Sequence, residues 1–296
     1  MSLANTLRDA LPSRRTEAWK YSDLRAALRD APLPDRPAPA DGDVIAALAP
    51  ATVPVHVQAG APRVIVERFD GDGLDARAHR FEVEPGAHLT RVVLQTGAGT
   101  PLSACTVRLG AGARFSQLIV ALGGALARIE TRVDVVGEGA AVELAGLYLV
   151  GAGRHADLTS CVRHEAGGSA TTQLVKGAAR AGGRGVFQGK IVVAPDAQKT
   201  DARQTHRALL LEPGAEIDAK PELEIYADDV QCAHGNTIGG LDEAALFYMR
   251  SRGLPLTQAR AMLIEAFLLE VLPDWLDIAL RGEIEGVVDD WLRAAP

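Results

Sequence analysis

A short phrase, a glycine at a corner followed at once by an apolar run, recurs through the middle of this chain and limits its fold more than any other feature. It reads Pro85-Gly86-Ala87-His88-Leu89, Ala111-Gly112-Ala113-Arg114-Phe115, Glu138-Gly139-Ala140-Ala141-Val142 and Pro213-Gly214-Ala215-Glu216-Ile217. The glycines are 26, 27 and 75 residues apart, and 75 is close to three further steps. Glycine accepts a positive φ at no steric cost, which suits a tight corner. One corner-plus-strand unit of this size cannot bury its own apolar side, whereas a stack of them can. The repeat therefore predicts a stacked β-solenoid, with the fourth phrase in step with the first three. A β-sandwich with glycine-rich hairpins is the alternative. Hairpin dipeptides are few, chiefly Asp70-Gly71 and Asp72-Gly73, which favours the solenoid.

Around the repeat the hydrophobic period is two. In residues 128–136, Ile129, Thr131, Val133 and Val135 alternate with Glu130, Arg132 and Asp134, a strand with one buried face. Similar runs lie at 64–66, 89–94, 115–122, 142–150, 189–193 and 223–226. Together they set the bounds of a β core at 49–236. Before it, residues 1–48 carry helical patterns at 4–11 and 17–28, the second capped by Thr16. A linker at 31–40 holds Pro32, Pro34, Pro37 and Pro39, a density that forbids helix. After the core, 237–296 reads as a helical domain. Its segments are 242–252, stopped by Gly253, then 258–272, capped by Thr257 and stopped by Pro273, then shorter helices near 274–280 and 283–292. Segment 258–272 is polar only at Gln258, Arg260, Glu265 and Glu270, so it is buried in a helical cap or covered by a partner.

Charge narrows the function classes. The chain of 296 residues has 31 Lys and Arg against 38 Asp and Glu, a net −7. Residues 240–296 alone hold ten acidic and five basic side chains. Such a chain is a poor partner for nucleic acid or an anionic membrane. No uncharged apolar run approaches the roughly 18 residues of a membrane span. Residues 1–15 carry charges and Pro12 and no apolar stretch of a secretory signal, so a cytoplasmic location is expected. The three cysteines, Cys105, Cys161 and Cys232, are too few and too far apart for a disulfide framework or a Cys-x-x-Cys cluster site. Any metal chemistry must recruit histidine, carboxylates or ligands from another chain.

The densest group of chemistry-bearing residues is Tyr226-Ala-Asp-Asp-Val-Gln-Cys-Ala-His-Gly-Asn236, which packs Asp228, Asp229, Cys232 and His234 together where the strands end. Thiolate and imidazole suit iron and iron–sulfur species. In an extended segment Cys232 and His234 point to the same side and can address one ligand. A small buried thiol and a hydrogen-bonded histidine account for the pair by spacing alone. Asp228 and Asp229 would tempt a reading as a sugar-acting β-helix transferase or lyase, but neighbours on a strand face opposite ways. His164 and Glu165 border a loop at Gly167-Gly168, His155 lies in another, and His206 sits in Gln204-Thr-His-Arg207; core or solvated hydrogen bonds explain them best. Gly182-Gly-Arg-Gly-Val-Phe187 lacks the Gly-Lys-Ser/Thr end of a phosphate loop, and Gly-x-Ser-x-Gly is absent. Cys105 and Cys161 lie in strand-like runs and are expected to pack.

Two motifs at opposite ends of the chain carry a family resemblance. The first is Leu11-Pro-Ser-Arg-Arg-Thr-Glu-Ala-Trp-Lys-Tyr-Ser-Asp-Leu24. The second holds Lys199-Thr-Asp201, Gln204, Ala219-Lys-Pro-Glu-Leu-Glu-Ile-Tyr-Ala-Asp-Asp229, Cys232, His234-Gly235, Asp242-Glu243 and Leu246-Phe-Tyr-Met-Arg-Ser-Arg-Gly253. In both, the chain resembles the SufD branch of the SufB/SufD family of iron–sulfur cluster assembly scaffold proteins. The resemblance implies a mainly β fold, a right-handed parallel β-helix core flanked by N-terminal and C-terminal α-helical regions. It implies a non-catalytic scaffold that works with a SufC-type ABC ATPase docked on the C-terminal helices, and with a SufB-type scaffold or a second copy met through the β-helix. It also implies that iron or a nascent iron–sulfur cluster is held transiently at that seam, with His234 as a metal ligand and Cys232 beside it. The small cysteine complement favours the SufD branch over SufB. A purely structural adaptor without metal contact is the rival reading.

Overall fold

The computed structural model describes residues 3–37, 39 and 43–294. Residues 38 and 40 of the expected linker lie outside the described residues. Two seven-stranded sheets make up the body. One sheet runs, in spatial order, β1 (Thr52–Val57), β3 (Leu74–Val83), β5 (Thr100–Leu109), β7 (Ala127–Val135), β9 (His155–His164), β11 (Arg184–Val193) and β13 (Glu216–Ile225). The other runs β2 (Arg63–Phe69), β4 (His88–Gln95), β6 (Arg114–Ala121), β8 (Ala141–Val150), β10 (Ala170–Ala179), β12 (Asp201–Leu210) and β14 (Gln231–Gly239). Neighbours within each sheet are parallel. Each turn of chain thus lays one strand on each sheet, which is a parallel β-solenoid and not a sandwich of hairpins.

Register gives the length of each coil. Leu74 pairs with Thr100, 26 residues on, and Arg184 pairs with Glu216, 32 residues on. The coil lengthens along the chain, and this corrects the expected phase of the fourth glycine phrase. Gly86, Gly112, Gly139 and Gly168 share one corner with φ between 62° and 71°. Gly86 N–H donates to the Ala111 carbonyl at 2.9 Å, Gly112 to Glu138 at 2.8 Å, Gly139 to Gly167 at 3.1 Å and Gly168 to Gln198 at 2.8 Å. Gly214 stands on the opposite corner, ahead of β13, above Gly153 and Gly182, with Gly182 N–H donating to its carbonyl at 3.0 Å. The 75-residue interval spans two and a half coils, so it is half a turn out of step with the earlier phrases.

Inward side chains of both sheets form the core, including Phe81, Val107, Phe115, Val133, Phe187 and Ile191, all fully buried. Parts of both outer faces are covered too, while Val64 and Val66 of β2 stay exposed. α1 (Leu3–Ala10), a 3-10 turn (Glu17–Trp19), α2 (Leu24–Ala27) and α3 (Val44–Leu48) lay Leu7, Leu11, Trp19, Leu24 and Ile45 on Ala76, Ala78, Leu102 and Ala104 of the odd sheet. The helix expected at 17–28 is therefore two separate turns, and the Thr16 side chain makes no cap bond. Arg128 explains the break. Its guanidinium lies 3.9 Å from the Trp19 ring centroid and donates to the Ala18 carbonyl at 2.8 Å, holding the chain flat on the sheet.

α4 (Glu243–Ser251), α5 (Leu256–Leu269) and α6 (Ile278–Arg293) follow the solenoid. Asp242 caps α4 by accepting from Ala244 and Ala245 N–H, and Gly253 at φ 90° ends it as expected. Thr257 lies inside α5, which starts after Pro255, and the two short helices expected near 274–280 and 283–292 are one helix capped by Asp277. Ile264, Leu268, Val271, Leu272, Ile284 and Val288 pack on Val92, Leu94, Leu118, Val120 and Leu147 of the even sheet. One face of α5, with Ile264 and Leu268, is thus covered by its own solenoid, while Leu256 and Met262 stay exposed. Lys176 of β10, fully buried, pins it by donating to the Phe267 carbonyl at 2.8 Å and pairing with Glu270.

Candidate functional site: the open mouth of the last coil

Along β12 the inward positions Ala202, Gln204, His206 and Ala208 are all buried. β14 lies next to it, with Cys232 opposite Ala202, His234 opposite Gln204, Asn236 opposite His206 and Ile238 opposite Ala208. The inward row therefore continues as Cys232, His234, Asn236 and Ile238. Here no further coil stacks above it. His234 and Asn236 are exposed, and Cys232 and Ile238 are half-buried. On the facing strand β13, every residue from Ile217 to Glu224 is likewise half-buried. The interior of the solenoid thus opens to solvent at its C-terminal end, with a thiol and an imidazole on the rim.

The expectation that Cys232 and His234 share a side agrees with this register. Asp228 and Asp229 do not flank them on a strand; they sit in the bend between β13 and β14. There the Asp229 carbonyl accepts from Lys199 N–H at 2.5 Å, and Asp229 N–H donates to Gln198 Oε1 at 2.9 Å. Burial pushes the Cys232 thiol above its ordinary range, so at neutral pH it keeps its proton. Among the described residues, no group of three or more His, Cys, Asp and Glu side chains is gathered closely enough to hold a metal ion.

Three other histidines, His155, His164 and His206, make structural bonds. Buried His164 lies between Ser169 Oγ at 2.7 Å and Thr171 Oγ1 at 2.9 Å. His206 donates from Nδ1 to Asn236 Oδ1 at 2.7 Å, leaving Nε2 to accept from the Tyr148 hydroxyl at 2.9 Å. His155 opens β9, where a loop was expected, with Nε2 3.3 Å from Ser22 Oγ. Cys105 is sealed in the core 3.3 Å from Arg91 Nη1, and Cys161 is half-buried on the outer face of β9. Cys161 lines a cavity of about 710 Å³ between the N-terminal segment and the odd sheet, which takes in neither Cys232 nor His234. No helix among the described residues is long and apolar enough to cross a membrane.

Comparison with known proteins gives the family. Residues 41–267 match the family model described as SUF system FeS cluster assembly, SufBD core domain. The chain belongs to the SufB/SufD family. It is similar to the iron–sulfur cluster assembly protein SufD of Escherichia coli strain K12, 39% identical over 163 residues, which is 55% of this chain and 38% of that protein. It is also similar to the chloroplastic protein ABCI7 of Arabidopsis thaliana, 37% identical over 165 residues, 55% of this chain and 35% of that one. A SufBD family protein of Mycobacterium leprae is 34% identical over 219 residues, 71% of this chain and 56% of its own length. The chain thus spans between about a third and just over half of these curated relatives. Within the SufB/SufD family it is SufD-like.

In the sequence Gln204 and Asn236 stand only as members of longer motifs, and nothing there marks the free edge of β14. The signal for all three was the strand register, which the repeat alone does not give when the coil length varies.

Proposed function

We propose that this chain is a non-catalytic scaffold subunit of the SUF assembly complex. His234, with Cys232 beside it, touches iron or a nascent cluster at a seam between this solenoid and a second scaffold chain, SufB-type or a second copy. The observation that carries the proposal is the exposed inward row of β14, set against the buried inward row of β12 one coil below. The iron or cluster is the cargo of the complex. A neutral imidazole suits iron as it stands. The protonated Cys232 thiol suits it less until a metal displaces the proton, which puts His234 first.

The strand edges support the seam. Free edges pair with other chains unless proline or charge blocks them. β1 carries Pro54, β13 carries Pro221, and β2 carries Arg63, Glu67 and Arg68, whereas β14 has no proline and no Asp, Glu, Lys or Arg. β14 is the edge best suited to accept a partner strand. A ligand set too small in one chain is completed there by the other. The C-terminal helices, with Phe247 and Tyr248 of α4 exposed, are the proposed seat of a SufC-type ABC ATPase, which would move this subunit while the chain itself hydrolyses nothing.

The test is His234→Ala in the co-expressed complex. The folded solenoid and its partners should co-purify as before, while iron and acid-labile sulfide in the complex fall to background. Unchanged iron and sulfide would leave an adaptor without metal contact.

A further inference from the structure

Beneath His234 runs a buried column of amides. Gln173 of β10 is opposite Gln204 of β12, and Gln204 is opposite His234 of β14. Gln173 Nε2 donates to Ser160 Oγ at 2.8 Å, and Gln204 Nε2 donates down to Gln173 Oε1 at 2.9 Å. With its nitrogen turned toward β10, planar amide geometry turns Gln204 Oε1 away from β10. That oxygen is buried and has no hydrogen-bond partner among the described residues, while Gln204 as a whole is 1% exposed. A buried acceptor without a donor is costly, so such atoms call for a partner. The amide is also held firmly. A Cβ on Gly189 would come within 2.3 Å of Gln204 Nε2, so the glycine leaves room for the amide and no more.

In an amide ladder each rung's donor meets the carbonyl of the rung below it. The next rung above Gln204 is position 234. The neighbouring inward pair on the same two strands also bonds rung to rung, in the opposite sense, with His206 Nδ1 of β12 donating to Asn236 Oδ1 of β14 at 2.7 Å. We propose that Gln204 is a positioning residue for His234: its Oε1 accepts a hydrogen bond from the His234 Nδ1–H, fixing the ring so that bare Nε2 faces the mouth. This rests on the reading of His234 as an iron ligand for its use, but not for its geometry. A metal-binding histidine commonly donates its second ring N–H to such an acceptor, and loss of the acceptor typically weakens metal binding by about 10–100-fold.

The experiment records long-range ¹H–¹⁵N correlations of the full chain labelled in histidine, metal-free, at a pH where His234 is neutral. His234 should be the Nδ1–H tautomer in the wild type. In Gln204→Met, which keeps the volume and removes the acceptor, it should move toward the Nε2–H form that free imidazole favours in water. His206 should stay Nδ1–H in both, as the internal check on folding. Gln204→Glu, which restores an acceptor, should restore the wild-type tautomer. In the assembled complex, Gln204→Met should lower iron affinity about 10–100-fold. A wild-type His234 in the Nε2–H form, or a tautomer indifferent to Gln204→Met, overturns the proposal. Should Gln204→Met lose the His206 signature, the wild-type tautomer alone decides. A tautomer that shifts as expected with iron unaffected by His234→Ala would sink the ligand reading and leave the positioning bond standing.

Discussion

His164 shows what burial does to a titratable side chain in this column. It is fully buried between two hydroxyls, and burial lowers its pKa from 6.5 to about 4. The unfolded chain therefore takes up a proton first as pH falls. The stability this residue contributes is present above pH 6.5 and is lost between there and pH 4, on the order of 3 kcal/mol in all. His155, also held near 4 by burial, acts in the same direction. The urea midpoint should drop steadily from pH 7 to pH 4, and His164→Asn should flatten part of that slope. At this scale the sequence was readable where chemistry is local. The pair Cys232 and His234 stood out by type and alternation alone. Lys199 did not. It holds φ 61° on the corner that Gly86, Gly112, Gly139 and Gly168 occupy in earlier coils. A non-glycine residue there hides the corner from any search for a repeated glycine, and the bond from its N–H to the Asp229 carbonyl, which holds it, depends on the next coil.

Among the elements, the N-terminal segment shows most clearly where local reading stops. Residues 17–28 have a helical pattern, yet they form a 3-10 turn and a single α turn. The competing influence comes from the sheet. Arg128, 1% exposed, pairs with Asp157 at 2.6 Å and with Glu130 at 2.7 Å while it caps the Ala18 carbonyl. Burial pushes the Asp157 carboxyl upward, but Arg128 and the Ser22 hydroxyl, donating at 2.5 Å, outweigh it and keep the group ionised. Arg128→Ala leaves Asp157 as an uncompensated buried charge and removes the platform under Trp19. It should cost about 3–5 kcal/mol in urea unfolding and open the N-terminal segment to protease before the solenoid. The α5 helix teaches the same lesson with the opposite sign. Its all-round apolar sequence announced burial, yet only Ala259, Ile264 and Leu268 are buried, and β10, with Lys176 under Phe267, shows which surface buries them.

For the whole molecule, two surfaces bear on partners: the mouth of the last coil and the far side of the C-terminal helices. Phe247 is 75% exposed and Tyr248 59%, and Leu256 and Met262 of α5 add 45% and 44%. Aromatic side chains in this setting are the usual centres of protein interfaces. Phe247→Asp with Tyr248→Ser should weaken capture of the ABC-type ATPase subunit at least about tenfold, about 1.4 kcal/mol, in a binding titration, with the melting temperature unchanged. Undiminished capture would move the docking seat elsewhere. The class of fold was legible because a solenoid repeats, and repetition survives drift in coil length. The openness of one end was legible only as the place where strands stop.

The lengthening of the coil gives the column a direction. Its first coil is built on strands of 6 and 7 residues, its last on strands of 10 and 9. A wide rim set against a narrow one leaves edge groups unmatched, whereas two wide rims match along their full length. Head-to-tail joining, which would propagate into fibres, is thereby disfavoured, and joining of like ends closes after two bodies.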